Sequence, residues 1–162
     1  MFLPESNKIY IDLGVFFFMT TSFRFLPDIA IADVAFEAQG NNIDELFEAA
    51  AQAVFETMVD TSTVEENIER KIALTSDTLE RLLYDFLSEI VFLKDTDSMV
   101  FRTVTVHIEE KKKTFSLTAT LIGDAIHPES QTLGNDVKAI TMHMFEITQD
   151  KKGYKTRVVI DI

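Results

Sequence analysis

The chain has 162 residues, a length that predicts one domain, and 46% of them are apolar, with 14 Phe available to fill a core. Fifteen basic residues against 27 acidic ones give a net charge of −12, which disfavours unaided binding of nucleic acid, because that affinity comes largely from Lys and Arg neutralising phosphates. The absence of cysteine excludes disulfides, thiolate nucleophiles and Cys-based zinc sites, and fits a reducing cytoplasm.

The apolar stretch LGVFFFM at 13–19 is seven residues long, where a membrane-spanning helix needs about 20. Glu5, Lys8 and Asp12 precede it in place of the basic segment of a signal peptide. No membrane association is expected. Met19 offers a second start, so residues 1–18 are read as an upstream extension or disordered segment, and 19–162 as the single folded domain.

RFLPDIAIADVAFEAQG (24–40) reads as an extended segment, with Phe36 and Ala38 alternating with Glu37 and Gln39. Gly40, Asn41 and Asn42 stop it. Asn42 and Glu45 have the spacing of a capping box, and Ile43, Phe47, Ala50, Val54 and Met58 follow at helical spacing, predicting a helix over 43–59. ERKIALTS (69–76) reads as a strand. Ser76 or Asp77 is placed to cap a second helix whose apolar face is Leu79, Leu82, Leu83, Phe86, Leu87 and Ile90. Strands are predicted at 98–109, 114–124, 136–148 and 154–162, joined by the polar connections EEKKK (109–113) and DKKGY (150–154). In 137–147 both faces are largely apolar, which predicts a central strand covered on both sides, with Met142 and Met144 as core filling and His143 as a core or strand-surface residue. The order of elements gives an α+β fold, a largely antiparallel sheet with two main helices packed on it.

Nucleotide-binding glycine loops, a G-x-S-x-G elbow and H-E-x-x-H spacing are all missing from the sequence. The carboxylates are more informative. Asp33 is the only charge between Ile29 and Phe36, and Asp161 interrupts VVIDI at the end of the chain. A carboxylate inside an apolar strand is costly to desolvate unless it is paired or binds a cation. With the terminal carboxylate of Ile162 these residues would make three hard oxygen donors, a set suited to Ca²⁺ or Mg²⁺ and not to zinc. The alternative is that each faces solvent at a strand end. Residue chemistry alone leaves both open. Lys138 likewise either pairs with a nearby carboxylate or presents its charge to a partner or a phosphate.

Taken together, ADVAFEAQG, IDELFEAAAQAVFETMVD, LLYDFLSEIVFLKD, DVKAITMHMFEI and the terminal RVVIDI resemble the archease family, in order and spacing, from about Phe23 to Ile162. The resemblance implies a two-layer α+β fold and a cytoplasmic, non-enzymatic accessory protein. Such a protein activates the GTP-dependent tRNA-splicing ligase, promoting guanylylation of the ligase and its turnover in joining 3′-phosphate or cyclic-phosphate ends to 5′-hydroxyl ends. tRNA would be met only indirectly, through the ligase. The resemblance also implies a divalent metal, Ca²⁺ or another such as Mg²⁺ or Mn²⁺, on Asp33, Asp161 and Ile162. Lys138 matches the lysine implicated in activation, and Asp60 matches the Asp of the family's M-x-D. The sequence departs from the family's usual D-H-T-A-D-[IV]-G: Ala30 takes the histidine position, Ile31 the threonine and Ala35 the glycine, and Asp28 lies one place upstream of the first Asp. The metal Asp is retained while its polar neighbourhood is thinned. Two other readings remain, a general chaperone-like interaction module and a metal-dependent hydrolase using Asp33 and Asp161.

Overall fold

The computed structural model describes residues 21–28 and 33–162; the expected upstream extension and the departures at Ala30 and Ile31 lie outside the described residues. In chain order the elements are β1 (Ser22–Phe25), β2 (Val34–Gly40), α1 (Ile43–Met58), a 3-10 turn (Thr61–Thr63), β3 (Ile68–Ser76), α2 (Leu79–Asp97), β4 (Met99–Lys111), β5 (Thr114–Ala125), β6 (Ala139–Asp150) and β7 (Gly153–Asp161). The fold is α+β, as the element order predicts. The antiparallel strands divide into two sheets, β1-β2-β7-β6 and β3-β5-β4, with the helices packed on them.

The segment 24–40, read from sequence as one extended run, is two paired arms: Phe25 stands opposite Phe36, and the Leu26 N–H donates to the Ala35 carbonyl at 2.7 Å. At the start of α1 the Asn42 side chain accepts from the Glu45 N–H at 2.9 Å. The Glu45 carboxylate reaches one residue further back than a capping box requires, to the Asn41 N–H at 2.8 Å and the Thr21 hydroxyl at 2.7 Å. The hydroxyl bond from Thr21, with the Asn41 bonds, holds the Glu45 carboxyl below its ordinary value against the opposing effect of burial. α2 is capped by Thr78, one residue beyond the expected Ser76 or Asp77, because only its side chain is positioned to accept from the N–H of Arg81, at 3.2 Å.

The apolar faces meet in a continuous core that includes Phe36, Phe47, Phe55, Phe86 and Phe101, all fully buried. Phe47 of α1 lies over Phe86 of α2 with ring centroids 6.1 Å apart, and Phe55 meets Phe101 of β4 at 5.6 Å. Each such ring contributes about 1.5–3 kcal/mol by leaving water.

α1 also closes an edge. β4 is an outer strand of the three-stranded sheet, and an outer strand leaves N–H groups without a strand partner. Here the Val106 N–H donates to Glu48 and the Ile108 N–H to Asp44, each at 2.9 Å. The spacing explains the match: four residues of helix rise about 6 Å, close to the roughly 6.7 Å spanned by two residues of strand. The carboxylates of one helix face therefore stand in for a neighbouring strand.

β6 corrects the sequence reading most. It is an outer strand and not a central one, because β7 lies between it and β2. Its ladder is interrupted: Thr141 faces Val159 and Glu146 faces Arg157, so residues 142–145 stand opposite the single position Val158. The extra residues bulge outward, Met144 takes a left-handed conformation (φ 55°), and Met142 and Met144 are 54% and 49% exposed. Apolar residues on both faces here mark an exposed bulge, not a doubly covered strand, and these methionines fill no core. His143 is exposed on the strand surface.

Candidate metal centre

The strand registers determine which charges meet. β2 pairs with β7 so that Val34 faces Ile160; continuing that register by one residue sets Asp33 across from Asp161. On the other side of β7, Asp161 faces Ala139 of β6, and the Lys138 N–H donates to the Asp161 carbonyl at 2.9 Å. The Lys138 ammonium donates to the main-chain oxygen of Ile162 at 3.2 Å. Three neighbouring strands thus bring Asp33, Asp161, Ile162 and Lys138 to one end of the four-stranded sheet.

Because side chains alternate between faces, directly opposed residues share one. Asp33 and Asp161 fall on the same face, while Lys138 falls with Ile162 on the other. The terminal oxygens lie at the strand end, between the two. The Ile162 side chain packs against the core and fixes that end. Asp33 is exposed and Asp161 half-buried, and among the described residues no side-chain or backbone donor pairs with either carboxylate.

This donor set fits a hard divalent cation. Opposed residues on neighbouring strands have side-chain bases about 5 Å apart, close enough for two carboxylates to share an ion with oxygen ligands at roughly 2.3 Å. Two aspartates and a terminal carboxylate against one ammonium leave −3 + 1 = −2, the charge that one divalent ion neutralises. Among the described residues no cluster of three or more His, Cys, Asp or Glu side chains is arranged for a metal.

Two sequence candidates remain, and the β1–β2 register, in which Phe25 faces Phe36, brings Asp28 to the same sheet end as Asp33 when continued. Asp28 is exposed just after β1, on the arm opposite Asp33, with residues 29–32 between them. Asp60 caps the 3-10 turn: its carboxylate accepts from the Ser62 N–H at 3.0 Å and the Ser62 hydroxyl at 2.7 Å. Its main chain is bound on both sides, donating to Thr132 and accepting from Thr63. It therefore caps this turn.

One contributor had no sequence signal. Lys94, near the end of α2 and only 10% exposed, donates to Asp136 at 2.6 Å and to the Val137 carbonyl at 2.9 Å, and also pairs with Asp95 at 2.7 Å. Burial pushes the Lys94 ammonium down, but the bonds to Asp136 and Asp95 outweigh it and hold its pKa above the ordinary value. The same contact holds the Asp136 carboxyl below its own. Lys94 thus anchors the residues immediately before Lys138.

The model of the Archease protein family (MTH1598/TM1083) matches residues 23–162. The archease of Methanothermobacter thermautotrophicus is 42% identical over 131 residues, covering 81% of this chain and 93% of that protein. The archease of Sulfolobus acidocaldarius is 35% identical over 142 residues, covering 88% and 99%. Among solved structures, the solution structure of Methanobacterium thermoautotrophicum protein 1598 superposes with a TM-score of 0.75 at 39% identity, covering 87% of this chain and 99% of that one. A Thermotoga maritima protein described as an archease and possible chaperone superposes at 0.55 with 22% identity, covering 85% and 96%, a likeness of fold alone. With nearly all of the described fold matched and identities of this size, the chain belongs to the archease family.

Proposed function

We propose that this protein is an accessory activator of the GTP-dependent tRNA-splicing RNA ligase. It would promote guanylylation and repeated turnover of the ligase without itself joining RNA, and would act in the cytoplasm. The observation that carries this reading is the meeting of Asp33, Asp161, the Ile162 terminus and Lys138 at the ends of three adjacent strands. A divalent cation, Ca²⁺ in the first instance and otherwise Mg²⁺ or Mn²⁺, is held by the three carboxylates. Lys138 holds the Ile162 end against β6 and keeps the local charge at a value that one ion balances.

The strongly acidic chain supports a protein partner, with tRNA reached through the ligase and not directly. A turnover assay of the cognate ligase on RNA bearing 3′-phosphate and 5′-hydroxyl ends tests the reading. Wild-type protein should raise the number of joining events per ligase, and Asp33→Ala or added chelator should remove the effect. Normal activation by Asp33→Ala would refute the metal-centred mechanism. RNA cleavage by the isolated protein would favour a hydrolase, and equal help to unrelated client proteins a general chaperone.

A further inference from the structure

Two lysines and two anionic acceptors meet where the chain enters β6. Lys94 directs its ammonium to Asp136 at 2.6 Å and to the Val137 carbonyl at 2.9 Å. Lys138, two residues past Asp136, sends its own ammonium the other way, to the main-chain oxygen of Ile162 at 3.2 Å. Sequence distance does not dictate that division. Two residues of chain span at most about 7 Å, within reach of the four-carbon stem of a lysine, and Asp136 and Lys138 are both exposed. Lys138 already bears on Asp136: the Lys94 contact is the main cause that holds the Asp136 carboxyl below its ordinary value, and the charge of Lys138 acts in the same direction. The backbone on either side is held without Lys94. The N–H groups of Gly134 and Asn135 donate to the Met58 and Thr57 carbonyls at 2.8 Å each, and the Lys138 N–H donates to the Asp161 carbonyl at 2.9 Å. What Lys94 alone supplies is a charge that occupies Asp136.

We infer that Lys94 is a positioning residue for the strand-end cluster: by occupying Asp136 it keeps the Lys138 ammonium on the Ile162 terminus. The inference rests on the metal reading above and names a control of that same site. Burial makes Lys94 the fixed member of the two. Its side chain is 10% exposed, and Val137, whose carbonyl it binds, is fully buried, whereas Lys138 is exposed and can turn. Without the Lys94 charge, Asp136 becomes an unpaired carboxylate two residues from Lys138. Exposed ion pairs are weak, so the Lys138 ammonium would divide between Asp136 and Ile162 instead of transferring outright. Each departure from Ile162 removes a positive charge that opposes a divalent ion at the cluster and releases the tie between the Ile162 end and Lys138. Lys94 thus acts on the centre through Lys138 and touches none of the carboxylates that would hold the metal.

The test measures Ca²⁺ binding by calorimetry at low ionic strength and, without metal, the NMR signal of the Ile162 terminal carboxylate carbon. Lys94→Gln keeps a donor for the Val137 carbonyl and removes the charge that holds Asp136. It should bind Ca²⁺ about two- to fivefold more tightly, the range set by one exposed ion pair, and should move the Ile162 signal toward its position in Lys138→Met. Lys94→Gln/Asp136→Asn should return both readouts to wild type. In a Lys138→Met background, Lys94→Gln should change neither; a further gain in affinity there would mean that Lys94 acts through its own field, and the inference falls. Asp136→Asn alone, at an exposed position that the fold tolerates, should leave both readouts at wild type. A weaker Ca²⁺ complex in that variant would mean that Asp136 already draws Lys138 away in the native protein, which overturns the inference even if Lys94→Gln does not fold. If wild-type protein binds no Ca²⁺, the metal reading falls, and the Ile162 signal alone decides whether Lys94 positions Lys138.

Discussion

Replacing Asp33 and Lys138 separately should move metal affinity in opposite directions. Asp33→Asn keeps the shape of the side chain and removes one charge, taking the cluster from −2 to −1. Because Asp33 is exposed, the high-dielectric end of Coulomb's law applies: unit charges about 4 Å apart exchange about 1 kcal/mol in water, so a divalent ion loses about 2 kcal/mol. That corresponds to a roughly 30-fold weaker Ca²⁺ complex. Lys138→Met removes the ammonium and takes the cluster to −3. An ammonium about 6 Å from a divalent ion opposes it by about 1.4 kcal/mol on the same scale, so this variant should bind Ca²⁺ about tenfold more tightly. Calorimetry at low ionic strength reads both values, and added salt should shrink both differences as the exposed charges are screened. Two variants that weaken binding alike, or an Asp33→Asn complex within twofold of wild type, would refute the electrostatic account of the centre.

Other consequences follow from the fold. Burial, reinforced by Asp44 and Glu45, pushes the Glu48 carboxyl above its ordinary value of 4.5, although the Val106 N–H opposes the rise. Its contribution to stability is therefore full below the unfolded value and declines as pH rises through the folded one. Glu48→Gln keeps an acceptor for Val106 and should melt no lower than wild type at pH 7, whereas Glu48→Ala should lose about 1 kcal/mol, or 2–4 °C; the reverse order would contradict the edge-closing role. Lys112 and Lys113 both hold left-handed conformations in the β4–β5 turn (φ 51° and 62°). Lys112→Asn with Lys113→Gly should accordingly raise the melting temperature by a few degrees, and a fall would exclude the strain argument. A few residues fused after Ile162 would move the terminal carboxylate away, and calorimetry should show weakened Ca²⁺ binding with melting unchanged. Full affinity in the fused protein would remove the Ile162 terminus from the ligand set.

The helices were legible because their apolar faces repeat at helical spacing and their polar breaks are local, as with Asn42 and Glu45. Strand order was not, since pairing β7 with β2 joins residues more than a hundred positions apart. That non-local choice turned 137–147 from an expected interior strand into an outer one. The aspartates stood out as charges in apolar runs, but only register shows that Asp33 and Asp161 face one another. Lys94 gave no signal, because its partners include a main-chain carbonyl 43 residues away, which no spacing rule reports.

The closure of β4 by Asp44 and Glu48 has a consequence for how the chain is made. An unsatisfied strand edge is a template for pairing with another copy, and the danger is greatest while a chain is still incomplete. α1 precedes β4 in sequence, so on a ribosome its two carboxylates already exist when Val106 and Ile108 emerge. The order of synthesis thus supplies the guard before the strand that it guards. A circular permutant that starts at β3 and places α1 last would fold to the same contacts while exposing that edge throughout synthesis, and should yield more insoluble protein than the natural order.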